Sequence, residues 1–61
     1  MYAIHNTRTN SDMWLVQYRE GAIKRAVQYA TSHRVTIEIR RNARLIATVL
    51  GDGTIVEAAQ V

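Results

Sequence analysis

Between residues 20 and 32, Ala22, Ile23, Ala26, Val27 and Ala30 recur at intervals of one and three on one side, while Lys24, Arg25, Gln28 and Thr31 occupy the other. That is the period of an amphipathic helix with a single apolar side. The rhythm then changes: Val35, Ile37 and Ile39 alternate with Thr36, Glu38 and Arg40, the period of two of a half-buried strand. ARLIATVL, residues 43–50, predicts a second strand, with a turn at Asn42 between the two. GDG at 51–53 supplies an Asp-Gly pair, favoured in two-residue hairpins because both central positions need positive φ, and TIVEA returns as a third strand.

The start of the chain admits two readings. SDMWLVQYREGAIKRAVQYA can be drawn as one helix capped by Ser11, with Trp14, Tyr18, Ala22, Ala26 and Ala30 in line. Such a helix would reach roughly 30 Å at 1.5 Å per residue, whereas strands of about seven residues span roughly 23 Å, so its overhang would lack cover. A helix of residues 20–32 matches the sheet. MWLVQY is therefore read as a strand in preference to helix, hairpinned through TRTNSD to YAIHN. With no proline, no repeat and no linker-like tract, residues 1–61 form a single small domain. The expected fold class is α+β: one helix packed on an antiparallel sheet in β-β-α-β-β-β order, ending in a three-stranded meander.

This architecture predicts a surplus of apolar side chains. If Asp52-Gly53 sets the register, Leu50 faces Ile55 and Val49 faces Val56, and the two pairs point to opposite sides of the sheet. Val35, Ile37, Ile39, Leu45, Ala47, Val49 and Val56 would lie beneath the helix. Ile46, Leu50 and Ile55 would then share the other face with Glu38, Arg40 and Glu57, or the two sets would be exchanged. One helix covers one face. The uncovered one is expected either to be folded over by Tyr2, Ile4, Met13 and Trp14 or to meet a partner, since an apolar centre rimmed by Arg, Tyr and Trp is the composition of an interface.

Charge sharpens the second option. The net charge is +3, and of eight Lys and Arg residues seven are Arg, whose planar fork suits phosphates, carboxylates and desolvated contacts. The bases concentrate in residues 19–44, and Arg40, Arg41 and Arg44 surround the Asn42 turn. With Lys24, Arg25 and Arg34 they make a candidate surface for a protein, a nucleoprotein or nucleic acid directly. Arginines on an exposed hairpin also serve simply to discourage sheet-to-sheet aggregation.

Chemistry is sparse by comparison. There is no cysteine, which excludes disulfides and thiolate zinc sites. His5 and His33 have no acid or Cys at ligand spacing, and His33 sits where a helix C-terminus favours a cation. Ser11 and Ser32 fall at expected turn or cap positions without a local activating base. Trp14 and Tyr18 share one side of the expected strand and Tyr29 borders the helix's apolar stripe, so core packing accounts for them better than base stacking. No catalytic site, metal or cofactor is expected. A 61-residue domain buries only about 60% of its unfolded surface, which makes support from a partner or a homodimer plausible. The absence of a spanning-length apolar run or a signal-like N-terminal segment points to a cytoplasmic setting without membrane contact.

From AIKRAVQYA through VTIEIRRNARLIATVLGDGTIV, the chain resembles in layout very small phage anti-CRISPR proteins that inhibit type I surveillance complexes. The shared features are an N-terminal β segment, a short helix bearing a Lys-Arg pair, here Lys24 and Arg25, and a meander turning at Asn42 and at Asp52-Gly53. The resemblance implies a stand-alone protein without catalytic residues that docks on a nucleoprotein machine and inhibits it.

Overall fold

A computed structural model describes residues 1–58. Strands β1 (Tyr2–Asn6) and β2 (Ser11–Val16) precede helix α1 (Arg19–His33), and β3 (Ile37–Arg41), β4 (Arg44–Val49) and β5 (Ile55–Glu57) follow it. All five strands join one antiparallel sheet in the order β2-β1-β3-β4-β5, so the fold is the expected α+β arrangement. The segment with two readings is a strand, and the helix starts only at Arg19.

This order explains why the helix is where it is. β1 lies between β2 and β3 and runs antiparallel to both, so β2 and β3 are parallel and need a crossover connection. At 15 residues the helix spans about 22 Å, close to the length of the strands it crosses. Its buried stripe is Ala22, Ala26 and Ala30, three small residues one turn apart that let the helix sit close to the sheet. Below them Ile4, Ile37, Ile39, Ala47 and Val49 are fully buried. Tyr18 precedes the helix in an extended conformation but makes no side-chain cap. At the other end Arg34 turns left-handed at φ 50°, and the N–H groups of Arg34 and Val35 both donate to the Ala30 carbonyl.

Two hairpin details redistribute the sheet's side chains. Between β3 and β4, the turn expected at Asn42 is formed by Asn42 (φ 52°) and Ala43 (φ 64°) as a two-residue, doubly left-handed turn. Ile39 then pairs with Ala47 and Arg40 with Leu45, leaving Ile46 as an extra residue in a β-bulge. Ile46 packs against the core beneath the helix, and Leu45 turns to the other face beside Arg40.

The second hairpin is one residue longer than a tight Asp52-Gly53 turn. Leu50 N–H donates to the Thr54 carbonyl (2.8 Å), Gly53 N–H donates to the Leu50 carbonyl (2.9 Å), and only Gly53 has positive φ. Asp52 Oδ1 accepts from Thr54 N–H at 2.9 Å, which lowers the carboxyl's pKa. A Cβ at Gly51 would stand 3.1 Å from the Arg34 carbonyl carbon, so the turn packs on the helix's terminal loop. Val49 consequently pairs with Ile55 and Thr48 with Val56.

The expected division of faces is therefore corrected. Ile46 and Ile55 belong to the helix side, Leu45 and Val56 to the open side, and Leu50 lies in the turn rather than in a strand. A one-residue change of register exchanges every side chain between faces. Neither does the N-terminal segment fold over the open face: Ile4 and Trp14 sit on the helix side, with Tyr2 and Met13 also packed against the core.

Candidate functional site

The open face consists of two rows running across the strands. One row reads Leu15, Ala3, Arg40, Leu45; the other reads Asp12, His5, Glu38, Thr48, Val56. Leu15 is 67% exposed, Val56 51% and Leu45 39%, so aliphatic side chains do stand in solvent there, at positions other than those expected. A hollow of about 510 Å³ lies along this face, with Ala3, His5, Leu15, Arg40, Asn42 and Ala43 among its lining residues.

The three arginines of the turn do not form one cluster. Arg40 points into the open face, where its Nε donates to Glu38 Oε1 at 3.1 Å and its Nη2 approaches the same oxygen. Alternation sends Arg41 the other way. Its guanidinium lies 5.5 Å from the centre of the Tyr2 ring, a cation–π arrangement, and Arg44 pairs with it directly across the strands. With Asn42 and Ile46 these two arginines line a second hollow of about 390 Å³. Asn42 borders both hollows, so the turn stands between them. Among the described residues no carboxylate lies within ion-pair distance of Arg41 or Arg44.

The remaining expected bases lie elsewhere. Arg25 covers the Trp14 ring, with its guanidinium carbon 5.1 Å from the ring centre, on the β2 side of the helix. Lys24 is exposed on the second helical turn. Arg34 caps the helix beside Gly51, at the end of β4 remote from the Asn42 turn, roughly 17 Å away for a strand of six residues. The structure thus brings together Arg41 and Arg44, with Arg40 on the reverse side, and separates Arg25 and Arg34 from them.

Sequence reasoning missed the environment of His5. Its Nδ1 lies 2.8 Å from Asp12 Oδ1 and its Nε2 3.1 Å from Asn10 Oδ1, and the residue is only 7% exposed. An aspartate–histidine pair can serve as a general base, but that role needs the second ring nitrogen available to a substrate. Here Asn10 occupies it. The trio closes the β1–β2 loop together with Asn6, whose Oδ1 accepts from Arg8 N–H at 2.9 Å. Ser11 Oγ is engaged by Thr9 Oγ1 at 2.8 Å. Among the described residues no group of three His, Cys, Asp or Glu side chains is placed to hold a metal ion, and no helix is long and apolar enough to cross a membrane.

Tyr2, expected as a cover for the open face, packs against the core instead, and its contact with Arg41 depends on β1 pairing with β3. Tyr18, expected in the strand and the core, is the exposed residue preceding the helix instead. His33 ends the helix with its ring stacked on Tyr29, while the capping geometry belongs to Arg34.

Comparison with protein-family models, curated proteins and solved structures finds no match to this chain. The site's own geometry is therefore the basis for a functional reading.

Proposed function

We propose that this chain is a non-enzymatic docking protein that binds a larger protein or nucleoprotein through the Arg41–Arg44 turn and the adjoining open face of Leu15, Leu45 and Val56. The carrying observation is the turn itself. Two like charges face each other across the strands with no acid beside them among the described residues, an arrangement that works against hairpin stability. Ala43 adds a left-handed backbone that a side chain disfavours. Such local costs concentrate where a segment is held ready for a ligand, and paired guanidinium groups suit carboxylate or phosphate oxygens. The sequence's resemblance in layout to phage anti-CRISPR proteins is the ground for proposing an inhibitory role on a nucleoprotein.

Capture of a partner from host lysate tests this when run with the parent chain, with an Arg41→Ala/Arg44→Ala variant, and with Leu15→Asp. A partner retained by the parent and lost by both variants, with duplex DNA binding weak at physiological salt, supports docking. Tight duplex binding that collapses as salt rises, and is lost with Arg41 and Arg44, would replace it with direct nucleic-acid binding, because counterion release makes phosphate contacts steeply salt-dependent. A concentration-dependent dimer mass abolished by Leu15→Asp would instead make the open face a contact between two copies.

A further inference from the structure

Along the side of the helix above β2, Arg25, Tyr29 and His33 form one stripe, each a turn from the next. Trp14 rises from β2 to meet them, and the four make a continuous ladder. Arg25 covers Trp14, the Trp14 and Tyr29 rings meet edge to face at 5.4 Å and 76°, and Tyr29 and His33 stack at 4.1 Å and 25°. Trp14 and Tyr29, in the middle, are half-buried and pin the helix to the sheet. Arg25 and His33, at the ends, are exposed, and core packing does not account for them. These four, with Gln28 and Ser32, line a shallow hollow of about 220 Å³.

We propose that this hollow is a stacking site for a base of single-stranded nucleic acid, with Arg25 against the adjoining phosphate. Its walls are aromatic and cationic, with an amide and a hydroxyl and, among the described residues, no carboxylate or aliphatic side chain. That combination matches a flat ring with polar edges attached to an anionic backbone, and it gives an apolar peptide side chain little to bury against. Lys24 and Arg34 add positive charge beside the stripe. A duplex keeps its base faces stacked internally and cannot present one here. The site lies over β2, whereas the arginine turn joins β3 and β4 beyond β1, so this inference does not rest on the docking reading.

Trp14 is the chain's single tryptophan, so its emission reports this hollow directly. Titration with short oligo-dT and oligo-U at low salt should give saturable quenching, whereas a duplex of equal length should not. His33→Ala and Arg25→Ala should each weaken binding of a labelled oligonucleotide about tenfold, with circular dichroism unchanged. Arg41→Ala/Arg44→Ala should leave it intact. Should an alanine variant unfold, His33→Phe against His33→Leu decides the matter: the flat ring retains binding and the branched chain loses it. Unchanged Trp14 emission, equal quenching by duplex, parent-like binding by the variants, or a loss that follows Arg41 and Arg44 would each overturn the proposal.

Discussion

Replacing Ala43 with glycine should make this protein more stable. Ala43 holds φ at 64° in the second central position of the β3–β4 turn, directly after Asn42 at 52°. For a residue with a Cβ that conformation costs roughly 1–2 kcal/mol through the clash with the following carbonyl. Glycine avoids the clash but gives up more freedom on folding, roughly 0.5–1 kcal/mol relative to alanine. The difference leaves Ala43→Gly about 0.5–1 kcal/mol more stable, consistent with the strong preference of such turns for Asn-Gly. At roughly 4–8 °C per kcal/mol for a domain of this size, the midpoint should rise by a few degrees. Urea and thermal unfolding followed by Trp14 emission and far-ultraviolet circular dichroism would measure it, and coincidence of the two probes would check that unfolding is two-state. A neutral or destabilising result would refute the reasoning, because it would mean that the turn does not carry strain at Ala43 and that one support for a functional role of the hairpin is gone.

Two further substitutions probe the helix entry and the second hairpin. Tyr18 occupies the N-cap position with φ −113° and ψ 145° yet supplies no side-chain acceptor; Tyr18→Asp should stabilise by about 1 kcal/mol in urea unfolding, and no gain would mean that the helix's first N–H groups already have partners. Asp52's carboxyl is held below its ordinary pKa, chiefly by the Thr54 N–H, so its contribution is present above the unfolded-state pKa and fades as pH falls through the lower folded value; unfolding midpoints from pH 5 down to pH 2 should fall less for Asp52→Asn than for the parent, and parallel curves would contradict the assignment.

The elements that local periodicity alone specifies were legible. Ala22, Ala26 and Ala30 at helical spacing, and Ile37 and Ile39 alternating with Glu38 and Arg40, form the core stripe and the strand they predict. The strand expected at MWLVQY, and found two residues earlier at Ser11–Val16, followed from length matching, a global criterion, because its own pattern fits helix as well. What escaped were features set by single inserted residues. ARLIATVL fails to alternate because Ile46 bulges, and that failure reads equally well as a strand greasy on both sides. The length of the Leu50–Thr54 turn depends on Asp52 capturing Thr54 N–H and on Gly51 meeting Arg34, neither of which spacing reveals. The arginines were found by composition, but their division between two faces required the register, as did the His5–Asp12 contact.

The position of β1 also governs how the molecule can assemble. Its neighbour β2 follows at once, whereas β3 is joined to it only across the helix, with Ala3 finally beside Arg40. Each terminal hairpin can zip locally, yet neither is complete until the long loop containing the helix closes, an entropically slow event. During translation the first hairpin therefore waits, with one backbone edge unsatisfied, until the chain has emerged through Arg41.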